Sequence, residues 1–196
     1  MIPAIVLAAG ASSRMGRPKA LLRIDGVTFV RRVLETLRAG GIGRAVVVVR
    51  PGAAEIAAEV AAAGAGPTIE NPEPERGQLS SLLAGLNAVD GAGVEGVLVT
   101  LVDVPLVSAA TVAALLERSR TSPAPILRAV HQGRHGHPVV FMRAVFDALR
   151  QADPSAGAKA VVRAHAVEDV SVEDAGVAED IDTPADYTRL VPGLDR

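Results

Sequence analysis

A short segment near the N-terminus, LAAGASSRMGRPKALL at residues 7–22, combines small residues with positive charge. Arg14, Arg17 and Lys19 lie within six residues of one another and follow Gly10. Small residues allow the main chain to present its N–H groups to an anion, and the cations would attract a triphosphate. A solvated basic turn that only joins a strand to a helix explains the composition equally well.

Two common phosphate-binding patterns do not fit this segment. The pattern G-x-x-x-x-G-K-[ST] fails because Arg17 and Pro18 follow Gly16, and G-x-G-x-x-G fails because residue 12 is Ser. The segment is therefore neither a Walker loop nor a dinucleotide-binding fingerprint.

A carboxylate follows the most apolar run of the chain. Asp103 comes directly after VLVTLV and precedes Val104 and Pro105. An Asp at this point either starts a turn before proline or supplies a hard oxygen ligand to Mg²⁺. Both interpretations place its carboxylate at the carboxyl end of a buried strand.

Two further acidic residues, Asp180 and Asp182, lie in EDIDTPADY near the C-terminus. Thr183, Pro184 and Asp186 have the spacing of the first residues of a helix, whose dipole favours acidic neighbours. Because Thr183 and the residues after it already account for that helix start, we expect Asp182 to be available for another role.

Three histidines, His131, His135 and His137, cluster in HQGRHGHPVVF. Their spacing on a predicted hairpin and the absence of cysteine argue against a zinc site, which this segment could not complete alone. His137 either orients a phosphate or is an ordinary hydrogen-bonded residue, and both alternatives stay open.

The elements that must position these residues alternate between apolar strands and amphipathic helices. This order predicts a three-layer α/β/α Rossmann-like fold with a mostly parallel sheet and a small antiparallel excursion after residue 122, in APILRAV and HPVVF. Such sheets bind ligands at the carboxyl ends of their strands. We predict strands at 5–7, 44–50, 67–71, 95–105 and, as a late edge strand, 167–174, and helices at 27–41, 53–64, 77–89, 108–120, 142–151, 157–166 and 183–191.

Composition limits the function classes. A chain of 196 residues with 49% hydrophobic content is enough for one domain. The net charge of −2 provides no basic field for nucleic acid, and aromatic residues at 2% are too few to stack bases. Without cysteine there is no disulfide or thiolate site, and no apolar run is long enough to span a membrane. We expect a cytoplasmic protein.

The N-terminal segment resembles the LAAGxSxRMGxPKxLL signature that opens the MobA-like nucleotidyltransferases, which couple CTP or GTP to molybdopterin. GQLSSLLAGL, LVDVP, GRHGHPVVF and DIDTPADY follow in the order and approximate spacing of that family, so the resemblance spans residues 5–190. It is similar, more loosely, to the sugar-phosphate and methylerythritol-phosphate nucleotidyltransferases. The resemblance implies one nucleotidyltransferase domain over 1–196, with a nucleotide-binding half at about 1–105 and an acceptor-binding half at about 106–196.

The same resemblance implies roles for individual residues. Arg14 and Lys19 would neutralise the triphosphate, while Asp103 and Asp182, the latter favoured over Asp180, would hold Mg²⁺; Arg14, Lys19 and Asp103 would be the catalytic residues. His137 would lie near the acceptor, and Arg17 has no assigned role. The nucleotide-binding residues implied are Leu7, Ala8, Ala9, Gly10, Arg14, Lys19, Asn71 and Ser80.

The resemblance also suggests substrates. LAAG in place of LAGG is similar to the cytidylyl-transferring branch, which implies transfer of CMP from CTP to molybdopterin with release of pyrophosphate, and contact with a molybdoenzyme or maturation factor. Another phosphorylated acceptor, such as a sugar phosphate or isoprenoid precursor, and a non-catalytic nucleotide-binding maturation partner stay open as alternatives. A dinucleotide oxidoreductase is disfavoured because the G-x-G-x-x-G pattern is missing.

Overall fold

The strands of the computed structural model, which describes residues 1–11, 15–154 and 156–190, form one large sheet and a small hairpin. The large sheet has seven strands in the order β5-β4-β1-β6-β8-β7-β9, and β2 pairs with β3. The strands are β1 (Ala4–Leu7), β2 (Arg23–Ile24), β3 (Val27–Thr28), β4 (Ala45–Val49), β5 (Thr68–Glu70), β6 (Gly96–Leu101), β7 (Ile126–His131), β8 (Arg134–Met142) and β9 (Val167–Ser171).

Helices cover both faces of the large sheet. Successive side chains of a strand point to opposite faces, and in β1 Val6 packs in the apolar cluster that contains α1, α2 and α4, whereas Ile5 packs with α3, α5 and α6. The predicted α/β/α layering is confirmed. The helices are α1 (Phe29–Ala39), α2 (Ala54–Ala62), α3 (Gln78–Val89), α4 (Ala109–Ser119), α5 (Phe146–Gln151), α6 (Ala158–Ala164) and α7 (Pro184–Leu190).

The sheet places three strand ends side by side. β1 lies between β4 and β6 and runs parallel to both, with Leu7 opposite Val48 and Leu101. Every residue of β1 and β4 is buried, which is typical of central parallel strands covered on both faces. The carboxyl ends of β1, β4 and β6 therefore meet at one edge of the sheet.

Some predicted boundaries were wrong for tertiary reasons. The helix predicted from residue 27 begins at Phe29, because 27–28 pair with 23–24 in a hairpin that the helical periodicity concealed. Thr28 instead caps α1, since its hydroxyl accepts a hydrogen bond from the Arg31 N–H at 3.4 Å. The strand predicted to reach residue 105 ends at Leu101, so Asp103 lies just beyond it.

The antiparallel excursion is part of the main sheet. β7 and β8 form the predicted antiparallel pair, and β8 also pairs antiparallel with β6, in the register Gly96 opposite Met142. β9 is the predicted late edge strand, although it ends at Ser171 and not at residue 174, and it pairs parallel to β7. In the part of the chain that the structure describes, no helix is long and apolar enough to cross a membrane.

Candidate active site

A cleft of about 980 Å³ opens at the carboxyl ends of β1, β4 and β6. This is the edge where a sheet of this class is expected to bind ligands. Its walls come from the loop after β1, the segment before α1, the loop that enters α2 and the start of α3. The residues lining it are Leu7 to Ala11, Gly16 to Leu21, Arg50 to Ile56, Pro74, Gly77, Gln78, Ser81, Leu101 to Asp103 and Asp182.

Three of the predicted residues meet in this cleft. The Lys19 ammonium donates a hydrogen bond to Asp103 Oδ2 at 2.8 Å and another to Asp182 Oδ1. Lys19 begins a short 3-10 turn, Lys19–Leu21, that follows Pro18. The exposed fractions of the side chains are 13% for Lys19, 19% for Asp103 and 47% for Asp182, so the cluster is open to the cleft on the Asp182 side.

The cluster contains one cation, Lys19, and one carboxylate oxygen without a hydrogen-bond partner. Burial opposes the charged form of Lys19, but hydrogen bonds and attraction from Asp103 and Asp182 outweigh it, so the pKa of Lys19 is raised above its ordinary value of 10.5. Asp103 Oδ1 is buried and has no hydrogen-bond partner among the described residues. A buried charged oxygen without a partner is costly.

Asp103 and Asp182 together fit a divalent cation. Hard oxygen ligands and a spare buried lone pair suit Mg²⁺, which binds through one or two carboxylates and completes its shell with phosphates and water. Within residues 1–11, 15–154 and 156–190 no three His, Cys, Asp or Glu side chains cluster as a self-sufficient metal site. The two carboxylates would therefore need further ligands from water or a phosphate group.

Asp182 is placed by its neighbours on both sides in the chain. The Ile181 N–H donates to the Asp103 carbonyl oxygen at 2.9 Å, which ties the two acidic residues together through the main chain. Thr183 and Asp186 form the predicted reciprocal cap of α7. The Asp186 N–H donates a hydrogen bond to Thr183 Oγ1 at 3.2 Å, and the Thr183 N–H donates one to Asp186 Oδ2 at 2.9 Å. The Asp182 carboxylate is left to contact Lys19.

Asp180 is close enough to interact electrostatically with Lys19, Asp103 and Asp182. Lys19 donates hydrogen bonds to Asp103 and to Asp182. Loss of solvation raises the pKa of Asp180 above its ordinary value, and the negative charges of Asp103 and Asp182 raise it further. The structure thus brings Asp182, and not Asp180, into contact with Lys19. Which carboxylate binds metal stays a prediction.

The end of β1 and the small residues that follow it supply one wall of the cleft. Leu7, Ala8, Ala9 and Gly10 all line the cleft, and the Ala8 N–H donates to the Val48 carbonyl at 2.8 Å, which continues the pairing with β4. A Cβ added at Gly10 would meet no atom of the described residues within 4 Å. The described part of the chain therefore leaves this side of Gly10 open to a ligand.

The cations of the N-terminal segment divide into three cases. Arg14 lies outside the described residues, together with Ser12 and Ser13. Lys19 is in the cluster above. Arg17, to which the sequence assigned no role, lines the cleft.

Asn71 and Ser80 are close together but do not line the cleft. The Asn71 amide nitrogen donates to Ser80 Oγ at 2.8 Å and to Ser81 Oγ at 2.9 Å, and its oxygen accepts from the Glu73 N–H at 3.0 Å. These bonds join the end of β5 to the start of α3, and of these residues only Ser81 faces the cleft. A direct role for Asn71 and Ser80 in nucleotide binding stays a prediction.

The three histidines are separated. His131 Nδ1 lies 2.9 Å from the Val172 carbonyl, and His137 Nδ1 lies 3.4 Å from the Val99 carbonyl on β6, whereas His135 is exposed. Burial lowers the pKa of His137 below 6.5, so its ring is neutral at pH 7. His137 does not line the cleft, and its predicted role near the acceptor stays a prediction.

Sequence reasoning missed two charged residues of the cleft. Arg50 follows β4 and Glu55 lies in the first turn of α2, and both line the cleft. Arg50 comes directly after a buried strand, and Glu55 is in the first turn of the next helix; that position was the available signal, because the ends of parallel strands are where such sheets bind ligands.

Comparison with known proteins shows the family to which the chain belongs. A family model described as the MobA-like NTP transferase domain matches residues 4–170. A bifunctional IPC transferase and DIPP synthase of Rubrobacter xylanophilus is 43% identical over 90 residues, covering 43% of this chain and 21% of that protein. A probable molybdenum cofactor guanylyltransferase of Opitutus terrae is 34% identical over 131 residues, covering 63% of this chain and 58% of that protein. The chain thus spans less than two thirds of the length of both relatives.

A solved structure extends the likeness over the whole chain. Rv0371c from Mycobacterium tuberculosis superposes with a TM-score of 0.84 at 29% identity, covering 99% of this chain and 100% of that one. A structure described as the same protein in complex with manganese gives a TM-score of 0.78 at 28% identity, covering 98% and 99%. A divalent cation is therefore bound in a structure with the same fold.

Proposed function

Because this chain belongs to the family of MobA-like NTP transferase domains, we propose that it transfers CMP from CTP to the phosphate of molybdopterin and releases pyrophosphate. The observation that carries the proposal is the contact of the Lys19 ammonium with Asp103 and Asp182 in the cleft. In this proposal residues 1–105 bind the nucleotide and residues 106–196 form the acceptor-binding half of one domain.

The charges of the cluster suit a triphosphate and its counter-ion. Lys19 stays protonated at neutral pH and can stabilise negative charge as it develops on the leaving pyrophosphate. When bound by Asp103 and Asp182, a divalent cation, proposed to be Mg²⁺, would supply further positive charge beside the α-phosphate. Arg14 and Arg17 belong to the same segment and would add to the attraction for phosphates.

The chain itself needs no nucleophile. A phosphate oxygen of the acceptor forms the new bond to the α-phosphorus while the bond from that phosphorus to the β-phosphate oxygen breaks, and pyrophosphate carries away the electron pair. The protein contributes by aligning the two substrates and by balancing charge. Leu7 and the small residues Ala8, Ala9 and Gly10 provide the wall along which the nucleotide would lie.

The choice of CTP depends on the small residues after β1. Ala8 and Ala9 are almost fully buried, so the second alanine contributes only a methyl group to the wall beside the cleft. The resemblance of LAAG to the cytidylyl-transferring branch supports a pyrimidine donor. GTP is the second candidate, because the Opitutus terrae relative is named as a guanylyltransferase.

A substrate screen tests the proposal. The four nucleoside triphosphates are combined with molybdopterin, sugar phosphates and isoprenoid phosphates in the presence of Mg²⁺, and pyrophosphate release is measured. We expect turnover with CTP and molybdopterin. Turnover with GTP instead would overturn the donor assignment, and turnover only with another acceptor would overturn the acceptor assignment.

Thermal unfolding provides an independent measure of donor binding. A ligand that binds only the folded state raises Tm as its concentration exceeds Kd, so a concentration of 100 Kd stabilises by about 2.7 kcal/mol. CTP with Mg²⁺ should raise Tm more than GTP at the same concentration. An equal or reversed shift would contradict the preference for CTP.

A further inference from the structure

Gly136 lies against the segment that carries Asp182. A Cβ built on Gly136 would stand 1.9 Å from the Val177 carbonyl oxygen and 2.9 Å from the Val177 carbonyl carbon. Cβ atoms do not approach an oxygen this closely, so β8 and residue 177 can pack together only because residue 136 has no side chain. The main-chain conformation of Gly136 does not require glycine, which leaves this close approach as the reason for it.

The same segment packs closely on its other side. A Cβ on Gly176 would stand 2.5 Å from the carbonyl carbon and oxygen of Leu106 and 2.8 Å from the Val107 nitrogen. Leu106 and Val107 belong to the loop that follows β6 and contains Asp103. Residues 174–182, here called the Asp182 segment, are therefore held between β8 and the loop that follows the other acidic residue of the cluster.

Hydrogen bonds hold both ends of the Asp182 segment. At its start, Asp174 Oδ2 accepts from the Ser108 N–H at 2.8 Å and from Thr111 Oγ1 at 2.6 Å, at the beginning of α4. At its end, the Ile181 N–H donates to the Asp103 carbonyl at 2.9 Å. In between, Arg134 Nη2 donates to the Ala178 carbonyl at 2.8 Å. The next residue after Ile181 is Asp182.

From this packing we infer that Gly136 is a positioning residue, which fixes the distance of the Asp182 carboxylate from Asp103 and so the geometry of the cation site. A methyl group at residue 136 must push the Val177 carbonyl away by roughly 1.5 Å to restore an ordinary contact. Val177 is fully buried, and the Ile181 N–H is hydrogen-bonded to the Asp103 carbonyl. The displacement of the Val177 carbonyl is therefore transmitted along the few residues between Val177 and Asp182. This inference rests on the proposed function, because it takes Asp182 as a cation ligand.

The test is the affinity of the full chain for Mn²⁺ alone, measured by electron paramagnetic resonance of the free ion without nucleotide. We expect Gly136→Ala to weaken Mn²⁺ binding by roughly 10- to 100-fold, the range found when groups that orient metal ligands are altered. In an Asp182→Asn background the same substitution should have little further effect, because the ligand that it displaces is already lost.

A matched control separates positioning from loss of stability. Gly66→Ala would place a Cβ 2.1 Å from the Ala45 carbonyl oxygen, at the opposite end of β4 from the cleft, and Gly66 also has a φ of +122°. We expect Gly66→Ala to lower Tm at least as much as Gly136→Ala while leaving Mn²⁺ affinity unchanged. Gly43→Ala, whose Cβ would meet no atom of the described chain within 4 Å, should change neither quantity.

The outcomes show whether the positioning role of Gly136 or the proposed function itself has failed. If Asp182→Asn leaves Mn²⁺ binding unchanged, Asp182 is not a ligand and that part of the proposed function fails. If Asp182→Asn weakens binding but Gly136→Ala does not, or if the two effects simply add, the positioning role of Gly136 is overturned. Should Gly136→Ala not fold, Mn²⁺ affinity is measured for Arg134→Met, which removes another contact of β8 with the Asp182 segment, at Ala178, without a clash. We expect weaker Mn²⁺ binding, and unchanged affinity would show that packing of the segment against β8 does not set the cation site, which overturns the inference.

Discussion

Two aspartates on either side of strand β6 in the chain interact with basic residues, and their surroundings differ: Asp90 caps the end of α3 before the strand, and Asp103 follows the strand. Asp90, before the strand, accepts from Arg143 at Oδ1 at 2.8 Å and from Arg150 at Oδ2 at 2.5 Å. Asp103, after the strand, contacts Lys19 through Oδ2, and its buried Oδ1 has no partner in the described part of the chain. Their side chains are 17% and 19% exposed, so burial does not separate them.

The difference indicates which aspartate is available to a ligand. Arg150 and Arg143 satisfy both oxygens of Asp90, and they lower its pKa below the ordinary value of 3.8 against the opposing effect of burial. Asp103 lines the cleft and retains one buried oxygen without a partner in the described part of the chain, which costs stability unless a ligand satisfies that oxygen. Satisfied polar groups stabilise a fold, whereas an unsatisfied one at a cleft points to function.

The largest expected effect is that of Asp103→Asn. The substitution keeps the shape of the side chain but removes the charge that would hold a cation, so turnover should fall by roughly a thousandfold, the equivalent of several kcal/mol of lost charge stabilisation. Tm should change little. Pyrophosphate release and thermal unfolding measure the two quantities, and near-normal turnover would contradict the role of Asp103.

Lys19→Met should separate two effects of the ammonium. Turnover should be lost because the charge that balances the triphosphate is gone. Mn²⁺ binding to the free protein should instead tighten by roughly threefold to tenfold, because Asp103 and Asp182 lose the cation that competes for them. A titration of Mn²⁺ checks this, and weaker binding in the variant would show that Lys19 organises the carboxylates and does not compete with the metal.

Asp90→Asn should give the opposite result to Asp103→Asn. Two arginine partners lose a charge-assisted bond, and since Arg143 and Arg150 are 52% and 36% exposed the free energy of unfolding should fall by only about 1 kcal/mol. Turnover should stay within about twofold of the unsubstituted chain. Denaturant unfolding and the pyrophosphate assay provide the comparison, and a large loss of turnover would show that both ends of β6 contribute to the site.

The smallest expected effect is the pH dependence of the difference in stability between the unsubstituted chain and Asp90→Asn. Because the pKa of Asp90 is lowered in the folded state, the unfolded chain takes up a proton first as the pH falls. The advantage of the native chain over the Asp90→Asn variant is thus complete above about pH 4 and decreases as the pH falls through the lower, folded-state pKa. When the free energy of unfolding of both chains is measured from pH 7 down to pH 3, the difference between them should shrink. A difference that stays constant with pH would show that it does not depend on the charge of Asp90.

Local sequence rules predicted the elements and their order well. The apolar runs of β1, β4 and β6 and the cap formed by Thr183 and Asp186 depend on residues close together in the chain, so periodicity and spacing were sufficient. The β2–β3 hairpin was missed because its two-residue strands are shorter than any period that a pattern can display. The end of β6 was placed too late because apolar residues continue after Leu101 although the pairing stops there.

The sequence by itself determined the α/β fold, the family and the identity of Lys19, Asp103 and Asp182 as candidates. Only the tertiary structure decided that Lys19 contacts carboxylates 84 and 163 residues away, and that one oxygen of Asp103 finds no partner among the described residues. It also decided that Gly136 packs against the Asp182 segment. The physical reason is that propensity and capping act over a few residues, whereas hydrogen-bond satisfaction and close packing depend on chain segments that meet only in the folded state.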